Sequence, residues 1–313
     1  MIKSKIVKIF LLGLLSLSAY AQNINFLVPD GLPAMSIANM MSDIKTIDED
    51  TVTYKIEKAS DAIVVDMLKR EGDIGIVPSN FSAQLYNKNL NYKILGTVGW
   101  GSFYVISRDN ISSLDELKGK KVYTFGKGLT PDIIFQSILE TKGLSNKDLE
   151  INYLANGNEL AMLFLSKKID TAVIPEPMLS KILTKSVTTN IVANLNDEWK
   201  NIMESDLGYP QATLVVKEEL YSSNPKLVEK LVEKIRESSV LLYKDRERTT
   251  KNIKANNITV DTSNLDEILK RANIYYTPIF DCQEEYNKYF KNLNEVNSKV
   301  IGGKVPDEEI FAK

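Results

Sequence analysis

Apolar and polar positions change period repeatedly along the first hundred residues after the N-terminal segment. Ile24–Val28 reads as a strand, and Pro33–Ile44 as a helix with proline in its first turn and Met35, Ile37, Met40, Met41 and Ile44 as apolar positions. Val52–Ile56 alternates as a half-buried strand does. Ser60 caps a helix carrying the Ile63, Val64, Met67, Leu68 stripe. Asp73–Val77 is a short strand stopped by Pro78, Ser79 opens a helix to Asn87, and Tyr92–Val98 is again a strand. Strands alternating with helices in this way predict a parallel sheet with helices on its faces.

A second series begins after Gly99-Trp100-Gly101. Strands are expected at Phe103–Ser107, Lys121–Phe125, Glu150–Leu154, Asp170–Ile174 and Val187–Ala193. Helices are expected at Pro131–Lys142 (ending on Gly143), Asn156–Lys168 and Glu176–Thr184. The runs GDIGIVP (72–78) and KIDTAVIP (168–175) repeat one design: helix end, acidic residue, buried strand, stopping proline. Two lobes of like construction are therefore expected. After the Ala212–Lys217 strand the chain turns helical. Asn224-Pro225 opens a long helix to Lys244 with Leu227, Leu231, Val232, Ile235, Ser239 and Leu242 on its core face. Further helices near Leu265–Ile274 and Gln283–Leu293 are expected to pack back on the first lobe.

Composition narrows the chemistry. The 313 residues carry 39 Lys+Arg against 41 Asp+Glu, with no basic surplus to hold nucleic acid. Histidine is absent, which removes Ser-His-Asp and Cys-His catalysis and His-ligated zinc. A single cysteine, Cys282, allows neither an intrachain disulfide nor a cysteine metal cage. At the start, Lys3, Lys5 and Lys8 precede the apolar run Ile9–Leu17, too short to span a bilayer, and Ala19-Tyr20-Ala21 reads as a cleavage site. Residues 1–21 are thus expected to be a signal peptide. With no cysteine beside the cut, no lipid anchor is expected, nor any insertion of the mature chain into a membrane.

In parallel α/β sheets, ligands bind where strands end and helices begin. Five such joints carry suitable residues: Pro29–Met35, Pro78–Phe81, Gly126–Asp132, Ala155–Asn158 and Ile174–Met178. Their small hydroxyl and amide side chains can bind a ligand or cap the helix. The Gly126–Asp132 loop is the strongest local signal, although it is neither a Walker loop nor a dinucleotide fingerprint. Trp100, flanked by glycines, reads as a ligand-stacking or hinge residue, near Phe103, Tyr104 and Tyr209. Asp30, Asp132 and Glu176 suit charge complementation at helix starts, or ligand hydrogen bonding, better than catalysis.

GDIGIVPSNFSAQLYNKN (72–89), SLDELKGKKVYTFGKGLTPDIIFQSILETKGL (113–144), KKIDTAVIPEPMLSKIL (167–183) and YPQATLVVKEELYSSNPKLVEKLVEKIRESSVLLYKD (209–245) resemble the periplasmic substrate-binding proteins of ABC transporters. The branch is that of the nitrate-, alkanesulfonate-, taurine- and thiamine-precursor-binding proteins. The resemblance implies an α/β type II periplasmic-binding fold. Lobe 1 is 22–101 with 210–313, lobe 2 is 102–209, and the hinge lies at 99–102 and 208–211. It places the ligand-binding positions at Gly31, Leu32, Pro33, Ser79, Asn80, Trp100, Gly101, Gly128, Leu129, Thr130 and Glu176, with no catalytic or metal-binding residues and no cofactor.

The implied activity is non-enzymatic capture of one small solute in the periplasm by a monomer, which hands it to an ABC permease with its ATPase. Helix starts favour a sulfonate, nitrate or carboxylate; the aromatics and Glu176 favour a pyrimidine or other vitamin precursor. Arg108 is the one arginine expected near the hinge, so a tightly held dianion is disfavoured. The alternatives are an enzyme on the same fold (a small-molecule dehydratase or a pyrimidine synthase) and a ligand-sensing module for a membrane receptor.

Overall fold

The computed structural model describes residues 21–58, 60–145 and 147–313. The basic and apolar parts of the expected signal peptide lie outside them. Among the described residues, no helix is long and apolar enough to cross a membrane.

The chain lays down β1 (Asn23–Pro29), β2 (Thr46–Ile47), β3 (Asp50–Glu57), β4 (Ile74–Pro78) and β5 (Tyr92–Trp100). It then passes into β6 (Phe103–Ser107), β7 (Lys121–Phe125), β8 (Glu150–Leu154), β9 (Thr171–Pro175) and β10 (Asn190–Asn194), and returns through β11 (Pro210–Lys217) and β12 (Thr277–Pro278). These strands make two sheets, a seven-stranded one in the order β12-β5-β11-β4-β1-β3-β2 and a five-stranded one in the order β10-β6-β9-β7-β8. The molecule is α/β, with helices flanking both sheets. Parallel pairing forms the centre of each: β1 lies between β3 and β4, with Phe26 opposite Tyr54 and Ile74, and β7 lies between β8 and β9. Antiparallel pairs appear where the chain changes sheets. β5 leaves the first sheet and β11 comes back into it beside β5 and β4, so β11 runs opposite to both.

Several elements depart from the sequence expectation. The Pro33–Ile44 helix is two short helices, Leu32–Ser36 and Ala38–Asp43, broken at Ile37 (φ −113°, ψ 13°). Ser238, from the long Pro225–Lys244 helix, fills the break: its hydroxyl donates to Ser36 O (3.0 Å) and accepts from Met40 N (3.3 Å). Unexpected helices are present as well. Leu195–Met203 buries Leu195, Asn196 and Trp199. Arg246–Ala255 buries only Thr249, Asn252 and Ile253, too thin an apolar stripe to read from period alone.

The placement of the C-terminal helices needs correction. The Gln283–Asn297 helix packs against both sheets rather than the first alone. Its Tyr286 hydroxyl pairs with Thr97 (2.7 Å) and Thr213 (2.6 Å) of the first sheet, while the Tyr289 hydroxyl pairs with Thr130 (2.8 Å) beside the second. One apolar cluster consequently runs through both halves, from Phe81 and Trp100 through Tyr286, Tyr289 and Phe290 to Ile133 and Trp199. Two further clusters remain separate. One, with Phe26, Met35 and Ile268, belongs to the first sheet; the other, with Tyr104, Leu179 and Ile182, belongs to the second.

Candidate functional site

Beside the two crossings, at the carboxyl end of β1, lies a cavity of about 20 Å³, room for about one water. It is lined by Leu32, Pro33, Val98, Gly99, Trp100, Ser102, Gln211, Ala212, Ala272 and Ile274. The lining is apolar except at Ser102 and Gln211. The Gln211 amide spans the two crossings: Ser102 N donates to Gln211 Oε1 (2.9 Å) and Gln211 Nε2 donates to Ser102 Oγ (3.0 Å).

The five joints divide between cavity and architecture. The first brings Leu32 and Pro33 into the cavity wall. Before them Gly31 adopts φ +92°, a backbone conformation glycine takes at little cost, and its N–H donates to Asp30 Oδ1 (2.8 Å). The same Asp30 oxygen accepts from Thr259 N (2.9 Å), and Lys58 Nζ donates to Oδ2 (2.9 Å). Partial burial pushes the Asp30 carboxyl up, but Thr259, Lys58 and Gly31 together hold it below the usual aspartate range. Its stabilisation is therefore complete above the unfolded value near 3.8 and lost as pH falls through the depressed folded value. Asp30→Asn is expected to lower stability by about 1–3 kcal/mol at neutral pH. In urea titrations over a pH series, this deficit should shrink once the wild-type carboxylate is protonated.

At the second joint, Ser79 accepts from Thr213 Oγ1 (2.7 Å) and Asn80 Nδ2 donates to Val300 O (3.1 Å). At the third, Thr130 Oγ1 reaches Asn80 Oδ1 (3.3 Å) and Tyr289, so these buried groups join the two halves to each other. Asp132 closes the glycine loop by accepting from Gly128 N (2.7 Å) and Tyr153 Oη (2.8 Å). Lys127 lies over the Tyr153 ring, 5.0 Å from its centroid, and Leu129 is exposed. The fourth joint is a helix cap: Asn156 Oδ1 accepts from Glu159 N, and Glu159 Oε2 accepts from Ala155 N (both 3.0 Å).

At the fifth, Glu176 is buried and its N–H donates to Ser102 O (2.9 Å), tying it to the cavity wall. Its carboxylate accepts from Ser180 N (3.1 Å), Ser180 Oγ (2.9 Å) and Arg271 Nε (2.7 Å). Burial raises the Glu176 carboxyl above its ordinary range, and Arg271 and Ser180 oppose that rise. The arginine beside the cavity is thus Arg271, not Arg108. The Arg108 guanidinium is engaged at the far end of β6, against the Phe164 ring and carbonyl and the Ser186 hydroxyl. Trp100 is 1 % exposed. It touches the cavity, donates from Nε1 to Thr277 Oγ1 (3.2 Å) and stacks on Tyr275 (6.2 Å, 25°), so it is also a core residue.

Ser102 and Gln211 were expected from sequence only as hinge positions, and Arg271, Ala272 and Ile274 not at all. Gln211 stands in the YPQAT stretch, two positions after Tyr209, which offered a signal. Arg271 had none, because it lies 95 residues from Glu176 at the end of another helix.

Residues 97–248 match the family described as NMT1/THI5 like. No curated protein sequence matches the chain. Among solved structures, an ABC transporter protein from Parabacteroides distasonis superposes with a TM-score of 0.80 at 24 % identity, over 93 % of this chain and 98 % of that one. The periplasmic aliphatic sulphonate binding protein SsuA from Escherichia coli gives 0.76 at 15 %, over 92 % and 91 %. The periplasmic nitrate-binding protein NrtA from Synechocystis gives 0.58 at 12 %, over 78 % and 69 %. Two sheets joined by two crossings are therefore the fold of the periplasmic binding proteins, and residues 97–248 resemble the family described as NMT1/THI5 like.

Proposed function

We propose that the protein is the solute-binding component of an ABC importer, holding one small solute between its two halves without altering it. The observation that carries this reading is the cavity itself. It lies against both crossings, beside the carboxyl end of β1, on a fold shared over nearly the whole chain with periplasmic binding proteins. The lobes are 22–101 with 210–313, and 102–209. Their hinge is the pair of crossings clasped by Gln211 and Ser102.

Leu32, Pro33 and Trp100 pack against the body of the solute, and Ser102 and Gln211 supply its polar contacts. Gly31, Gly101 and Glu176 support that wall. Ser79, Asn80, Gly128, Leu129 and Thr130 form the neighbouring ends of the two halves. The space present admits about one water, so the halves part before a solute enters and close over it afterwards. The mature chain acts in the periplasm as a monomer, after cleavage behind Ala21, and delivers its cargo to a permease driven by an ATPase.

A thermal-shift screen of alkanesulfonates, nitrate, taurine, pyrimidines and thiamine tests the reading. One compound is expected to stabilise the protein by about 2.7 kcal/mol at a hundred times its dissociation constant, and to be recovered chemically unchanged. Conversion of the bound compound would overturn non-enzymatic capture.

A further inference from the structure

The two halves meet along two seams, one mainly apolar though crossed by the Thr130–Tyr289 and Ser137–Asn292 bonds, the other polar. On one side, the Gln283–Asn297 helix lies against the Thr130–Thr141 helix. The apolar cluster is continuous across this seam, from Phe81 and Tyr286 through Tyr289 and Phe290 to Ile133, Ile134 and Trp199. On the other side, Arg271, at the end of the Leu265–Arg271 helix of the first half, reaches Ser180 of the Met178–Lys185 helix of the second. Here the apolar clusters stay apart: Leu265, Ile268 and Leu269 belong to one, Leu179 and Ile182 to the other.

The hydrogen bonds that cross this second seam converge on Arg271. Its Nε donates to Glu176 Oε1 (2.7 Å), its Nη2 donates to Ser180 Oγ (2.9 Å), and its carbonyl accepts from Tyr104 Oη (2.8 Å). Glu267, on the same helix as Arg271, holds the guanidinium from behind, accepting from Nη1 at 3.3 Å. Cavity-lining Ala272 and Ile274 lie just beyond it in the chain.

Separating the first seam exposes large apolar side chains to water. Separating the second exposes charged and hydroxyl groups that water solvates well. We infer that the protein opens at the crossings while the apolar seam stays closed, that the rim between the Leu265–Arg271 and Met178–Lys185 helices is the mouth, and that Arg271 is its latch. The inference rests on the solute-capture reading for its purpose, but its geometry can be measured with no solute present. Arg271 is a positioning residue: it fixes Glu176, and through the Glu176 N–H to Ser102 O bond it fixes the cavity wall.

The test places spin labels on cysteine pairs in the full mature chain and reads distances by pulsed electron resonance. Native Cys282 is buried, with its thiol pushed up to about 12, and stays unlabelled. The pair Lys181→Cys with Lys270→Cys straddles the rim, and Glu140→Cys with Glu295→Cys straddles the apolar seam; all four positions are exposed. Adding Arg271→Gln is expected to create a second, longer distance population across the rim while the seam pair keeps its wild-type distance. Glu176→Gln should act in the same direction. Arg271→Lys, which keeps the charge beside Glu176 but not the fork that also reaches Ser180, should fall between. Equal lengthening in both pairs, or none in either, overturns the inference, with circular dichroism confirming that each variant is folded. Failure of the solute screen with rim opening intact would count against solute capture and not against the latch.

Discussion

Tyr289→Ala is expected to lower unfolding stability by about 3–5 kcal/mol, the range for deleting a fully buried aromatic ring. Tyr289 sits at the centre of the apolar seam, edge-on to Trp199 (centroids 6.5 Å, 69°) and 5.7 Å from Phe290. Its hydroxyl also meets Thr130 at 2.8 Å. Truncation thus leaves a cavity between the two halves and takes one partner from a buried hydroxyl. Tyr289→Phe removes only the oxygen and leaves Thr130 its contact with Asn80, so its cost should be near 1 kcal/mol. Guanidinium unfolding followed by far-ultraviolet circular dichroism measures both. Because the ring belongs to both halves, the alanine variant should also broaden the transition as the halves begin to unfold separately. Equal midpoints for the two variants would show that the ring does not hold the seam together.

Gly101→Ala should be a strongly damaging single-methyl change at the first crossing. A Cβ there would stand 2.4 Å from Tyr209 Cε1 and Cζ and 2.5 Å from Asn196 Oδ1. None of these can retreat easily. The Tyr209 ring is fully buried against Trp199, and Asn196 Oδ1 already accepts from Tyr209 N (3.1 Å). Overpacking of this kind costs about 1–3 kcal/mol, and here it falls on the junction of the two halves. Gly99→Ala is the matched control: its Cβ would meet Ala212 Cβ at 3.4 Å, ordinary contact, so its melting temperature should stay near wild type. The alanine at 99 would instead take up space in the cavity and weaken whatever solute fits there. If both variants melt alike, the crowding around Gly101 relaxes more freely than its neighbours suggest.

Much of the architecture was legible because each parallel βα unit is locally encoded. Phe103–Ser107, Lys121–Phe125 and Glu150–Leu154 match their expected bounds, and the Pro225–Lys244 helix starts at the Asn224 cap, where its sequence placed it. The stopping prolines at 78 and 175 end their strands. What period could not show was contact between distant elements. The Gln283–Asn297 helix carries aromatics at 286, 289 and 290 that look like a stripe facing one neighbour, yet Tyr286 bonds to the first sheet and Tyr289 to the Thr130 helix of the second. The same limit applies to the site. Glycine and proline joints located the strand ends, and Leu32, Pro33 and Trp100 do line the cavity. Whether a hydroxyl at a joint faces a solute or another hydroxyl of the chain depends on elements more than a hundred residues away, as at Ser79 with Thr213 and Thr130 with Tyr289. The salt bridge between Glu176 and Arg271 joins two residues that no local pattern links.

The chain contains two tryptophans. Trp100 stands at a crossing with one side on the cavity, and Trp199 lies inside the apolar seam; both are almost wholly out of contact with water. The protein therefore carries its own pair of optical gauges. Emission from the first is expected to respond to what fills the cavity, and emission from the second to stay constant while the apolar seam holds, so unlabelled protein can distinguish a filled cavity from a broken joint.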